Sequence, residues 1–371
     1  MEFTCEDTTL GTDKYGPIVR NGVPGILKES SVIVADQKES SQIYNKGNFG
    51  YPLSGGGLEL DLIEAAFLLE SGRLEVIRDN KNMTFGELFT YASAESEGFD
   101  IRYMVYRDIR QRGFVVKPDA AGQDLSVLPR GKIISNSRPL YMVKSVSERT
   151  AFSIDTFMEL ADDAKERNRE LLFAIVDEEG DLTYYVVSKR KLTGHMVLSD
   201  NKGKEEGRLI RDRVFLFGED DATSIHGNGA FGKLEGGVLQ LSLIETCYLM
   251  AKEMIGNISS EKGIMGIDDM IAFGNSAQDE FDLRLKAFSD MRDHGLVVKT
   301  GFKYGTHFRV YEKHPDACHA RFLVHSVDGL RTMMWPEISR AVRLAHGVKK
   351  EILFCRMNGV TEYLEFKRFR P

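Results

Sequence analysis

Gly113-Phe114-Val115-Val116-Lys117 and Gly295-Leu296-Val297-Val298-Lys299 are one phrase written twice, 182 residues apart. The same offset recurs upstream, where Gly47-Asn48-Phe49-Gly50 answers to Gly229-Ala230-Phe231-Gly232. At an offset of 181, Leu62-Ile63-Glu64 answers to Leu243-Ile244-Glu245, and Leu172-Phe173 to Leu353-Phe354. Solenoid repeats run to about 50 residues, so a period this long is the duplication of a domain-scale unit. The two halves are unequal in chemistry. The second carries Tyr311, His319 and Lys350. The first has no tyrosine between Tyr106 and Tyr141, and it sets Arg138 and Arg169 where His319 and Lys350 fall. One half reads as working and the other as structural.

Composition limits what the duplicated unit can be. A chain of 371 residues holds two or more domains, and a hydrophobic fraction of 42% is ordinary for a soluble globular protein. The longest apolar runs are too short to span a bilayer. The opening Met1-Glu2-Phe3-Thr4-Cys5-Glu6-Asp7 lacks the basic and apolar regions of a secretory signal. Cys5, Cys247, Cys318 and Cys355 are scattered without a C-x-x-C pair. That argues against a disulfide framework or zinc ribbon and fits a reducing cytoplasm. Net charge is −7, which weighs against indiscriminate nucleic-acid binding. From Arg321 to Pro371, however, ten Lys or Arg face five Asp or Glu, a local excess compatible with a phosphate-binding face or with a solvated charged surface.

Each half divides again. The strand-like Ser31-Val32-Ile33-Val34-Ala35 matches Arg213-Val214-Phe215-Leu216-Phe217, and a Gly-rich turn follows at Ser54–Gly57 or Glu235–Gly237. Apolar residues then recur at helical spacing from Leu58 to Leu69. A charged amphipathic helix, Ile101–Arg112 or Phe281–His294, stops at Gly113 or Gly295 and leads into the Val-Val-Lys strand. Strands around Leu140–Val143 and Phe322–Val324 precede helices over Ser153–Asn168 and Pro336–His346. Each half ends in a hairpin, whose turn is Asp177-Glu178-Glu179-Gly180-Asp181 in the first and Met357-Asn358-Gly359 in the second. The class is α+β: a tandem duplication of a two-domain unit with mixed β-sheets flanked by helices, the second copy catalytic. Domains are expected at 1–95, 96–192, 213–278 and 279–371, with a polar linker over 193–212.

The densest polar segment is Thr300-Gly301-Phe302-Lys303-Tyr304-Gly305-Thr306-His307-Phe308-Arg309-Val310-Tyr311. On a strand, Arg309 and Tyr311 share a face. His319 precedes the apolar Ala320–Val324, and Lys350 stands between a helix and the strand Ile352–Cys355. A Tyr, a His and a Lys suit attack by an RNA 2′-hydroxyl on its own phosphodiester. His donates a proton near neutrality. Tyr accepts one when a neighbouring cation lowers its pKa, and Lys350 is the cation expected to do so. Lys also stabilises the charge on the phosphorane-like transition state. Taken singly, each of the three is more often a strand aromatic, a loop histidine or a surface lysine. Five of the eight histidines, His307, His314, His319, His325 and His346, fall in one stretch, but without zinc-ligand spacing. Gly301 and Gly305 do not form a Walker or G-x-G-x-x-G pattern.

Residues 295–311, with His319-Ala320-Arg321-Phe322-Leu323-Val324 and Val342-Arg343-Leu344-Ala345-His346-Gly347-Val348-Lys349-Lys350, closely resemble the catalytic domain of archaeal tRNA-splicing endonucleases. The resemblance is specific over about residues 281–356 and weaker over 25–190. It implies a catalytic triad of Tyr311, His319 and Lys350, and no metal or other cofactor. It implies a cationic clamp on a bulged base, one member matching Arg343 and the other falling on Lys367 or Arg368, with Arg309 as a further substrate-binding cation. It implies a homodimer, in which the acidic turn Asp177, Glu178, Glu179 and Asp181 docks onto the partner's catalytic half. The expected substrate is precursor tRNA with a bulge–helix–bulge motif, cut to 2′,3′-cyclic phosphate and 5′-hydroxyl ends. Residues 118–137 share little with the second half and read as an insertion or rebuilt loop, in which Arg130 and Lys132 would touch RNA. The rival is a non-catalytic RNA-binding or assembly subunit of a splicing nuclease.

Overall fold

The computed structural model describes residues 22–119, 124–198 and 205–371. In chain order, the first half comprises β1 (Val23–Leu27), β2 (Ser31–Val34), α1 (Gln37–Gly47), β3 (Tyr51–Pro52), β4 (Leu58–Asp61), α2 (Leu62–Glu70), β5 (Leu74–Arg78), β6 (Lys81–Met83), α3 (Phe85–Glu95), α4 (Phe99–Gln111), β7 (Val116–Pro118), β8 (Leu125–Val127), β9 (Tyr141–Ser147), β10 (Phe152–Ser153), α5 (Ile154–Glu166), β11 (Glu170–Val176) and β12 (Leu182–Arg190). The second half repeats the plan: β13 (Gly207–Ile210), β14 (Arg213–Leu216), α6 (Glu219–Gly229), β15 (Lys233–Glu235), β16 (Val238–Ser242), α7 (Leu243–Ala251), β17 (Ile258–Ser260), β18 (Gly263–Met265), α8 (Ile267–Ala277), α9 (Phe281–Asp293), β19 (Val297–Thr300), a 3-10 turn (Phe302–Tyr304), β20 (Phe308–Tyr311), β21 (Phe322–Asp328), β22 (Thr332–Met333), α10 (Trp335–Gly347), β23 (Glu351–Asn358) and β24 (Val360–Phe369). The described residues of Met1–Thr150, with Asp162–Val186 and Arg368–Pro371, form one unit, and Ala151–Ala161 with Val187–Lys367 form the other. No helix among the described residues is long and apolar enough to cross a membrane.

The opening sheets have the same strand order, β3-β4-β2-β1-β5-β6 and β15-β16-β14-β13-β17-β18. Leu58 to Asp61 form a strand, not the first turn of the expected helix. Leu58 and Leu60 are buried while Glu59 and Asp61 are partly exposed, a period of two that pairs with β2. The helix begins only after Asp61, whose side chain caps Ile63 N–H and whose own N–H is taken by Glu64. Ser242 and Glu245 form the same capping box on α7. Each box extends further. Glu64 also accepts from Gly50 N–H at 2.9 Å and pairs with Lys117 at 2.8 Å. Glu245 accepts from Gly232 N–H at 2.8 Å and lies 3.6 Å from Lys299. The Val-Val-Lys phrase thus recurs because its lysine reaches back to the preceding domain, donating also to Gly50 O or Gly232 O. Gly50 and Gly232 sit at φ of 70° and 59°, where a Cβ would meet a strand carbonyl at 2.6 and 2.3 Å. That accounts for the repeated Gly-x-Phe-Gly.

The following domains contain β7-β8-β9-β11-β12 in the first half and β19-β20-β21-β23-β24 in the second. In both, a parallel pair, β9 with β11 or β21 with β23, sits inside antiparallel neighbours. In the second, α9 packs Phe288 between Tyr248 and Phe308, with ring centres 5.5 and 6.1 Å away. Residues 118–137 are not an insertion: they contain β8, which pairs with β7 and β9 as β20 pairs with β19 and β21. The strand kept its apolar alternation while its polar residues changed, which hid the match. Residues 193–212 are not a plain linker either. Gly194 and Met196 N–H donate to His294 O and Gly295 O, and Gly207–Ile210 forms β13. A polar sequence there concealed strand pairing on its neighbours. Its residues 199–204, like the opening Met1–Asp7, lie outside the described residues.

Candidate active site

Strand direction brings three residues to one end of the second half's sheet. β20 runs antiparallel to β21, so its last residue, Tyr311, lies where β21 begins. β21 runs parallel to β23, so their first residues are neighbours. His319 precedes β21 by three residues and Lys350 precedes β23 by one. Backbone bonds join these ends: Arg321 N–H donates to Val310 O at 3.0 Å, and Glu351 N–H donates to Arg321 O at 3.0 Å. Lys350 N–H donates to Ala345 O at 2.9 Å, closing α10, and Lys349 turns the chain into β23 at φ 55°.

The three differ in their surroundings. Tyr311 is buried, with its ring among Ala230, Val297 and Ala320 and flanked by Met196 and Cys318. His319 is exposed and Lys350 half-buried. The Lys350 Nζ lies 5.7 Å from the centre of the Tyr304 ring. Arg309 shares the face of Tyr311, its guanidinium 5.8 Å from the phenol ring centre. Its Nε is buried with no hydrogen-bond partner among the described residues. Burial raises the Tyr311 phenol above its ordinary 10; Arg309 opposes this, while Tyr304 and Cys318 reinforce it. The expectation that Lys350 lowers this pKa is therefore overturned: desolvation wins, and the opposing cation is Arg309.

The basic excess resolves into paired and open charges. Arg321 binds Glu312 and Glu351, Arg331 binds Glu337, and Arg356 binds Asp155 and Glu362. Arg340, Arg343, Lys349, Lys350 and Lys367 have no carboxylate partner among the described residues. Arg343 is exposed on α10 and, among the described residues, bonds only to Ser339. Lys367 is exposed on β24, and Arg368, also exposed, is grouped with the first unit. In the acidic turn, Asp177 Oδ1 accepts from Glu179 and Asp181 N–H, Glu178 pairs with Arg149, and Glu178, Glu179 and Asp181 stay exposed. Arg130 and Lys132 are in a surface segment whose turn closes by a Lys132 N–H to Pro129 O bond. Among the described residues, no three His, Cys, Asp or Glu side chains gather as a metal site.

Register identifies the counterparts in the first half. Arg309 opposite Leu323 corresponds to Ser126 opposite Met142, so Tyr311 corresponds to Leu128, which is fully buried. Arg169, in the place of Lys350, donates to Ser126 Oγ at 2.8 Å. Tyr304, beside Lys350, had no role assigned from the sequence. The signal is two aromatics, Phe302 and Tyr304, flanking Lys303 in a loop, next to the more conspicuous Gly301 and Gly305.

Comparison with known proteins bears on this arrangement. The model of the tRNA intron endonuclease catalytic C-terminal domain matches residues 99–184 and again 281–363. That of the tRNA intron endonuclease N-terminal domain matches 23–89 and 206–271. The chain is 34% identical over 347 residues to a tRNA-splicing endonuclease of Methanococcoides burtonii, covering 91% of this chain and 97% of that protein. It is 34% identical over 343 residues to a tRNA-splicing endonuclease of Methanosarcina mazei, covering 91% and 96%. A tRNA-splicing endonuclease of Halobacterium salinarum is 32% identical over 350 residues, covering 89% and 95%.

Proposed function

This chain belongs to the tRNA intron endonuclease family, and on that premise we propose that it excises introns from precursor tRNA, using Tyr311, His319 and Lys350. The observation that carries the proposal is the meeting of β20, β21 and β23 at one sheet end in the second half, with these three residues beside it. In the proposed step the 2′-oxygen bonds to the adjacent phosphorus as the bond from phosphorus to the 5′-oxygen breaks. Tyr311 takes the 2′-proton and His319 supplies a proton to the departing 5′-oxygen. Lys350 and Arg309 offset the charge gathering on the non-bridging oxygens. The products are a 2′,3′-cyclic phosphate and a 5′-hydroxyl. The step calls on no metal. Burial keeps most of the phenol protonated in the RNA-free protein, so Tyr311 takes the 2′-proton as the minority phenolate, whose charge Arg309 offsets.

The substrate is a bulge–helix–bulge RNA, cut once in each bulge by a homodimer with two such sites. The open cation of Arg343, with that of Lys367, suits a clamp on an unpaired base. The exposed Glu178, Glu179 and Asp181 suit docking onto the basic Arg321–Pro371 stretch of another copy of the chain. The direct test incubates the purified protein, in excess EDTA, with end-labelled bulge–helix–bulge RNA. Cuts in both bulges that leave cyclic phosphate are expected. Binding without cuts would favour an assembly subunit instead, and cuts that return only with divalent metal would defeat the Tyr-His-Lys scheme.

A further inference from the structure

We propose that the turn Phe302-Lys303-Tyr304 is a stacking platform for an unpaired RNA base beside the cleaved phosphate, an inference that rests on the RNA-cutting function proposed above. Phe302 is 85% exposed, where an apolar ring of this size is ordinarily covered. The turn that presents it is held firmly. Gly301 N–H donates to His307 O at 3.0 Å, Tyr304 N–H to Gly301 O at 2.8 Å, and the buried Thr306 hydroxyl to Phe308 O at 3.2 Å. Its exposed position is therefore built in. At the other end of the turn, the Tyr304 ring faces the Lys350 Nζ. Two residues of chain span at most about 7 Å, which places Phe302 within reach of a nucleotide next to one held at Lys350. Lys303, exposed and without a carboxylate partner among the described residues, adds a cation between the two aromatics in the sequence.

A ring face, a cation and a second ring match an unstacked nucleotide, whose base offers a flat π-surface and whose backbone is anionic. The other half of the chain provides the control. Its connection between the corresponding strands reads Asp119-Ala120-Ala121-Gly122-Gln123-Asp124, with no aromatic, no cation and two acids. The aromatic turn thus accompanies the half that holds Tyr311 and Lys350 and is missing from the half that lacks them.

The test measures binding and cutting separately on the full-length protein. Phe302→Ala, Phe302→Leu and Phe302→Trp are compared, after checking that each keeps the parent's thermal midpoint. The probe is a fluorescently labelled bulge–helix–bulge RNA with 2′-deoxy residues at the cut sites, read by anisotropy. A second probe carries 2-aminopurine in a bulge. Alanine and leucine are expected to weaken binding about 5- to 100-fold, and tryptophan to stay within about twofold of the parent. Cleavage at saturating RNA should change by less than about threefold, because the ring touches no reacting atom. The 2-aminopurine signal should change on binding to the parent and not to the alanine variant. Leucine binding as well as phenylalanine would overturn the platform, since it keeps the apolar bulk and removes the π-face. Alanine binding unchanged would overturn it too. A parent that binds but never cuts would defeat the endonuclease reading while the Phe302 comparison still decides the platform. A parent that does not bind RNA would sink both.

Discussion

The two halves of this chain hold one scaffold in two electrostatic states. Lys117 with Glu64 and Lys299 with Glu245 fasten the two domains of each half in the same way. Arg110 and Arg292 lie over Phe49 and Phe231 at 3.8 and 3.9 Å. Beyond this shared frame the halves part. The first closes its polar groups on themselves: Arg169 bonds Ser126, and Asp124 pairs with Lys144 at 2.6 Å. Among the described residues, the second leaves them open at the same register positions, with Arg309 Nε unbonded and Lys350 facing a ring. In place of the Asp124–Lys144 pair it has two uncharged imidazoles, His307 and His325, with ring centres 5.4 Å apart. A fold with internally satisfied charges has little left for a ligand, whereas one with unpaired cations at a sheet end is prepared for an anion. The difference separates a scaffold from a site without any change of topology.

The largest expected effect comes from the open groups. His319→Ala and Tyr311→Phe should each slow cleavage about 10²- to 10⁴-fold in single-turnover assays while leaving RNA affinity near the parent's. Loss of less than about tenfold in either would remove that residue from the chemistry. A converse graft sharpens the contrast. Leu128→Tyr, Arg138→His and Arg169→Lys, placed together in a His319→Ala background, should restore no cutting. Ser126 still stands where Arg309 is needed, and the aromatic turn is missing. Measurable cleavage by that graft would show that the three residues alone distinguish the halves.

The shared frame is tested next. Lys117→Met strands the wholly buried Glu64 carboxylate and should cost about 3–5 kcal/mol in urea unfolding. Lys299→Met should cost less, because the contact it breaks is longer, at 3.6 Å against 2.8 Å. Equal losses would contradict that reading.

Acid should separate the halves as well. Burial, with Arg284 and Arg331 near His307 and with His307 and Arg331 near His325, pushes both imidazoles down to about 4. Glu280 lies 3.8 Å from His307 Nε2, and Ser326 N–H donates to His307 Nδ1, so that nitrogen holds no proton. In the unfolded chain both rings titrate near 6.5, so the unfolded state takes up protons first. Their contribution is complete above about pH 6.5, falls as pH drops towards about 4, and declines no further below that. At pH 5 the loss is up to about 2 kcal/mol per ring, visible as a thermal midpoint several degrees lower than at pH 7. His307→Asp with His325→Lys, which copies the first half's ion pair, should flatten that dependence. A double variant as acid-sensitive as the parent would place the effect elsewhere. Smallest of all, replacing Glu178, Glu179 and Asp181 by Ser should change stability by less than about 0.5 kcal/mol. The same change should abolish the proposed homodimer in sedimentation, and an unaltered dimer would detach the acidic turn from assembly.

Much of this was legible in the chain. The repeated phrases exposed the duplication because each repeat marks a contact that must be made twice: a lysine on a buried glutamate, a glycine against a strand. Tyr311, His319 and Lys350 stood out because their counterparts had changed. Leu58–Asp61 misled because Leu-x-Leu followed by Leu-Ile fits both a helix and a strand running into one. Only the pairing with β2 decides between them. Residues 118–137 looked foreign because β8 preserves apolar positions that carry no signature.

The sequence by itself determined the duplication, the α+β class and which half carries the Tyr, His and Lys, since these rest on local pattern and residue identity. Tertiary structure alone decided the rest. Strand direction brought Tyr311, His319 and Lys350 to one sheet end, and register matched Leu128 with Tyr311 and Asp124–Lys144 with His307–His325. Burial set the phenol's pKa above 10 against the nearby Arg309. Direction, register and desolvation depend on neighbours distant in the chain, and no local stretch of sequence contains them.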